Sequence, residues 1–146
     1  MHYFSARQLI IDQLKLELAS AGVTCRVQAA AGWKQALDNL QPAPVIFVWH
    51  QADKVHGGQT ASRNNGKRQI VDQLWSVVPC VRNVGDIAGS AAQDDADALI
   101  AVVQQLQGVK LDADHGHLFR VQSQYMSAYV GGFGVYPFAF TTRIYT

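Results

Sequence analysis

The chain has 146 residues, 49% of them hydrophobic and 16% charged, with a formal net charge of +1 at pH 7. This suits one domain with a substantial core and gives no general electrostatic case for nucleic acid or an anionic membrane. No apolar run nears the roughly 20 residues of a membrane helix, Met1–Ser5 lacks the layout of a secretion signal, and Cys25 and Cys80 have no metal-ligand spacing, so both read as small, reduced strand residues made in a cytoplasm.

The first predicted element is a helix. Ser5-Ala6-Arg7-Gln8 fits a capping box, with Phe4 and Leu9 placed for a hydrophobic staple. Ile10, Leu14 and Leu18 then recur four apart, and Gly22 supplies the left-handed stop. Val23, Cys25 and Val27 alternate with polar residues, the pattern of a half-buried strand. Trp33, Ala36, Leu37 and Leu40 form the apolar face of a short helix, ended by the extended Gln41-Pro42-Ala43-Pro44. Val45–His50 is a continuous apolar strand covered on both faces at its centre.

Residues 51–67 are polar and glycine-rich, with little to bury, and are expected to form a mobile loop. Lys54, Arg63, Lys67 and Arg68 give this loop and its end a positive charge against Asp53. Ile70–Val81 is the longest strand signal and makes a long antiparallel hairpin with the strand before the loop; Pro79 implies an edge or a bend. Ser90-Ala91-Ala92-Gln93 is a second capping box, followed by Asp94, Asp95 and Asp97 near the helix start. Ala92, Ala96, Leu99, Ile100, Val103 and Leu106 form the stripe of that helix, and Gly108 ends it. A strand follows around Leu118–Ser123.

The last predicted strand, Gly134–Tyr145, is entered through the turn Gly131-Gly132. Tyr136, Phe138 and Phe140 point to one face, while Pro137, on the other parity, and the tyrosines at either end favour an edge strand serving a neighbouring subunit. Truncation after Phe140 is therefore expected to impair assembly more than monomer stability. The expected architecture is α+β: a mostly antiparallel sheet with a long β-hairpin and two main helices packed on one face, all in one domain.

Catalytic motifs are missing, including any phosphate loop, nucleophile elbow or dinucleotide fingerprint. Asp112, Asp114, His115 and His117 could hold a metal, since the two histidines share a side if extended. The same residues suit an ordinary turn. His50 and His56 are expected to be solvated or hydrogen-bonded, the aspartates at 94, 95 and 97 to balance the helix dipole, and Trp33, Trp49 and Trp75 to pack in the core. Tyr3, Tyr125, Tyr129 and Tyr145 hint at a protein interface.

Three pieces together resemble the tail-terminator (tail-completion, minor tail) proteins of long-tailed bacteriophages and prophages. They are Leu74–Asn83 followed by Gly-Asp-Ile-Ala-Gly, the helix Asp94–Leu106 ending in Leu-Gln-Gly, and the stretch from Tyr129 to Thr142. The resemblance implies a virion protein without enzymatic activity or cofactor. It implies a ring, usually a hexamer, on the head-proximal end of the tail tube. That ring stops tube polymerisation and joins the head, with the tail tube protein and a head–tail connector protein as partners. On that basis Lys54, Arg63, Lys67 and Arg68 are expected to meet an acidic partner rim or DNA passing through the lumen. Tyr129, Phe133, Tyr136, Pro137 and Tyr145 are expected at the subunit interface. The rival readings are another neck or connector ring protein, or a small metal-dependent enzyme using the 112–117 cluster.

Overall fold

The computed structural model describes residues 2–56, 69–82 and 90–145, with side chains from 93 onward in the third helix. Helix α1 spans Ala6–Ala21, with Ile10, Leu14 and Leu18 buried as their spacing predicts. Gly22 ends it at φ 70°, where its amide reaches the carbonyls of Leu18 and Ala19. The start differs from the predicted capping box. Ser5 has helical angles, φ −63° and ψ −22°, and makes no side-chain cap bond. Its hydroxyl instead lies 3.4 Å from His115 Nε2. The Phe4 ring stands edge-on to Tyr3 and His50.

After strand β1 (Arg26–Ala29) and helix α2 (Trp33–Asp38) come two long strands, β2 (Val45–His56) and β3 (Ile70–Arg82). They pair antiparallel from Val45↔Cys80 to His56↔Ile70, with an irregularity between His50 and Ala52. Residues 51–56 thus belong to the hairpin and not to the expected loop. One inserted residue lets the ladder continue through a polar sequence. β1 runs parallel to β2, and α2 provides the crossover.

Helix α3 (Ser90–Gln104) leads to four strands: β4 (Phe119–Val121), β5 (Ala128–Val130), β6 (Phe133–Val135) and β7 (Phe138–Tyr145). Of its predicted capping box, Ser90, Ala91 and Ala92 lie outside the described side chains. The predicted last strand is broken in two at Tyr136-Pro137. β6 pairs with Cys80–Arg82, whereas β7 pairs with Ile70–Val77. The break explains both prolines. Pro79 lies between these two sets of partners, where a missing amide interrupts no regular ladder, and its carbonyl accepts the Tyr136 amide at 3.0 Å. Pro79 is therefore not at a sheet edge, since β3 is central. β7 is also no edge strand, because β4 pairs with Ala139–Thr141 on its outer side.

The sheet divides the core in two. On one face α1 and α3 pack against Ile46, Val48, Trp75, Val77, Phe138 and Phe140. On the other, Ala36 and Leu40 cover Val45, Phe47, Val78, Cys80, Phe133 and Val135. Val45–Trp49 is buried on both faces, which accounts for its unbroken apolar run. The result is the expected α+β layering, two main helices on one face of a mostly antiparallel sheet. Both cysteines are free, and burial pushes their thiols up to about 12.

Candidate functional site

The far half of the β2–β3 hairpin extends beyond the second core cluster and carries a charged network. Asp72 Oδ1 accepts from Arg143 Nε at 2.9 Å, and Asp72 Oδ2 lies 2.7 Å from His56 Nε2 and 3.2 Å from Arg143 Nη2. The Arg143 guanidinium, with help from His56, holds the Asp72 carboxyl below its usual range against the opposing effect of burial. Lys54 is exposed, in β2, directly opposite Asp72 in the register. Of the four basic residues assigned to a partner or lumen contact, it is the one described; Arg63, Lys67 and Arg68 lie outside the described residues.

The five residues expected at a subunit interface separate into distinct environments. Tyr129 is 69% exposed and Tyr145 50%. Phe133 is only 7% exposed and belongs to the second core cluster, so its ring is spent on internal packing. Tyr136 packs against the first cluster. Burial, the neighbouring Tyr129 phenol and Asp97 together push its hydroxyl up to about 12. Pro137 is half-buried between β6 and β7.

The 112–117 segment forms a turn. Asp112 Oδ1 accepts from the amides of Asp114 and His115 at 2.9 and 3.0 Å, and lies 2.6 Å from His115 Nδ1. His115 is buried and its other ring nitrogen faces Ser5, whereas His117 is exposed. The two imidazoles therefore do not converge as an extended chain would place them. Among the described residues no group of three or more His, Cys, Asp or Glu side chains is arranged to hold a metal. His50 and His56 are both hydrogen-bonded to aspartates, at 2.7 Å in each case. Trp49 and Trp75 are core residues, while Trp33 stacks on Tyr125 with centroids 5.1 Å apart and planes 4° from parallel.

Sequence reasoning missed two features. The N-terminal segment is fastened to the hairpin: Tyr3 donates its hydroxyl to Asp53 at 2.7 Å, and Gln73 Nε2 donates to the Tyr3 carbonyl at 2.8 Å. No local pattern signals contacts between residues 50 and 70 positions apart. The second is an exposed apolar stretch, with Phe119 54% and Met126 85% exposed. Its signal was available in the alternation around the fully buried Leu118, which puts Phe119 on the opposite parity.

This arrangement offers surfaces for association: open strand edges, exposed aromatic rings and a charged hairpin, the materials of protein interfaces. The fold is that of a virion component of known structure. A chain from the virion of a native gene transfer agent particle superposes with a TM-score of 0.54 at 18% identity, covering 99% of this chain and 100% of that one. No curated protein sequence matches the chain. The model of the phage tail terminator protein family matches residues 1–146, and the chain belongs to that family.

Proposed function

We propose that this protein caps the finished tail tube as a homo-oligomeric ring of six copies, stops tube polymerisation and presents the face that joins the head. The observation that carries this reading is the family match over residues 1–146. The surface is compatible with it. A ring needs head-to-tail contacts that close after a fixed rotation. Exposed Tyr129 and Tyr145, with open sheet edges, are suitable material for such contacts. The tail tube protein and a head–tail connector protein are the other partners, and the head-proximal end of the tail is the site of action. Lys54, Arg63, Lys67 and Arg68 meet the acidic rim of a partner or the DNA in transit.

Electron microscopy of tails assembled without the protein tests the proposal. Overlong tubes without heads are the expected result. Normal-length tails without heads would instead favour a connector role. Normal, joined particles would overturn both.

A further inference from the structure

We infer that copies of this chain join through β5 of one and β1 of the next, making the sheet continuous from subunit to subunit. The inference rests on the homo-oligomeric reading above and specifies its contact. In β1, the Arg26 and Ala30 amides bond to the Pro44 and Val48 carbonyls of β2. Strand alternation therefore aims the amides and carbonyls of Val27 and Ala29 away from the sheet. In β5, the two-residue turn Gly131-Gly132, with φ of 53° and 84°, makes Val130 and Phe133 the first hydrogen-bonded pair. Ala128 and Val135 form the next such pair, so the amide and carbonyl of Tyr129 point outward. Among the described residues these outward groups have no hydrogen-bond partner.

The two edges match in direction and face. Arg26, Val45, Cys80, Val135 and Ala128 form one row across the sheet, from which β1 runs to one side and β5 to the other, so a copy that faces Tyr129 to Val27 is offset by two residues along the strands. β1 is parallel to β2, which is antiparallel to β3, and two further antiparallel pairings lead to β5. β5 and the β1 of an adjacent, similarly oriented copy therefore run antiparallel. Val27 packs against the same core cluster as Tyr136, the residue whose phenol lies beside that of Tyr129. A joined sheet thus keeps its helix-covered face continuous.

The other edges are blunted, as edges of stable sheets are. Gln107 Oε1 accepts the Arg120 amide at 2.6 Å, and residues 108–110 bond to 117–118, closing the outer side of β4. Beyond β4, His115 and Gly116 cover β7 at Arg143 and Ile144. The outer edge of the hairpin carries an irregularity at 50–52 and the charged Asp53 and Lys54. Among the described residues the pair left open is β1 and β5, short strands at opposite ends of one sheet. That is a head-to-tail contact in which a second copy supplies the missing half.

The test compares Tyr129→Pro with Tyr129→Ala by mass measurement of the assembled protein and by tail joining. Both lose the phenol, but only the proline removes the outward amide. The hairpin bonds to β6 use Ala128 and Val130, so both variants keep the monomer fold, checked by circular dichroism. Tyr129→Pro is expected to reduce assembly at least tenfold relative to Tyr129→Ala. In mixtures, copies with Ala128→Cys should form disulfides with copies bearing Gln28→Cys (Tyr129 opposite Val27) or Ala30→Cys (Tyr129 opposite Ala29), the choice reporting the register. Equal assembly of the two Tyr129 variants, with no mixed disulfide, would overturn the β5–β1 contact while leaving a ring intact. A wild-type protein that stays monomeric even on tails would overturn the ring reading as well.

Discussion

Tyr136 lies across Gly134, so close that a Cβ added at 134 would stand 2.7 Å from the Tyr136 phenol oxygen and 3.1 Å from two ring carbons. The glycine is there to admit the ring, which packs from the break between β6 and β7 onto the first core cluster. Gly134→Ala is expected to cost about 1–3 kcal/mol, the range of overpacking in a fitted core. Tyr136→Phe in the same chain removes the closest contact and should recover part of that loss. Urea unfolding of the single and double variants checks this; a neutral Gly134→Ala would show that the ring moves aside freely.

Asp72 makes acid stability measurable at one site. Its carboxyl titrates below the usual range, chiefly because of the Arg143 hydrogen bond. A depressed folded-state value gives stability that is present above the unfolded value, roughly 3.9, and is lost as pH falls through the folded one. Asp72→Asn should therefore destabilise the protein near pH 7, and the gap from wild type should close below about pH 4. Arg143 is 46% and Asp72 25% exposed, so the gap is expected to be about 1 kcal/mol or less. Unfolding at several pH values would show it, and a gap unchanged down to pH 2 would contradict it.

The helices and the hairpin were legible because their signals are local. The four-residue spacing of Ile10, Leu14 and Leu18 and the run Val45–Trp49 each reflect burial along one element. Sheet order was less legible. Pro79 and Pro137 suggest sheet edges, but a proline only requires a missing partner, and an edge is one way to provide it. Here both prolines occupy the switch from β6 to β7 beside a central strand. Exposure was hardest to read, because exposed Tyr129 and buried Phe133 have the same aromatic character in sequence. Only pairing partners distinguish them.

The turn at Asp112 should behave as structure. Asp112→Ala would leave the amides of Asp114 and His115 and the His115 ring without their shared acceptor. His115 is 1% exposed, so its ring nitrogen would lose a partner where water does not readily replace it. A loss of about 1–3 kcal/mol is expected. Asp112→Asn keeps an acceptor oxygen and should lose less. Stoichiometric zinc or manganese in the purified protein, or a melting temperature raised by either ion, would revive the metal-dependent reading.

Truncation after Phe140 changes its meaning once β7 is placed inside the sheet. It removes Thr142 and Ile144, which are 1% and 0% exposed, and the ladder from Leu74↔Thr141 to Ile70↔Tyr145. Monomer folding should fail, in contrast to the assembly defect expected of an edge strand. A milder probe, Ile144→Ala, should cost about 2–5 kcal/mol. Far-UV circular dichroism and urea unfolding distinguish these outcomes; a truncated chain that folds like wild type would show that β7 contributes little beyond Phe140.

Reversing the charges of Lys54, Arg63, Lys67 and Arg68 tests their role in joining. Lys54 is exposed and stands opposite Asp72 in the ladder. The combined Lys54→Glu, Arg63→Glu, Lys67→Glu and Arg68→Glu variant should keep its fold, with a loss of about 0.2–1 kcal/mol from the carboxylate placed opposite Asp72. Joining of tails to heads is expected to fall at least tenfold, because the same charges would repel an acidic rim or DNA in transit. Added salt should weaken joining by the wild type while changing the variant little, since screening acts on the attraction that the variant lacks. Normal joining by the charge-reversed protein would remove the electrostatic role from these four residues.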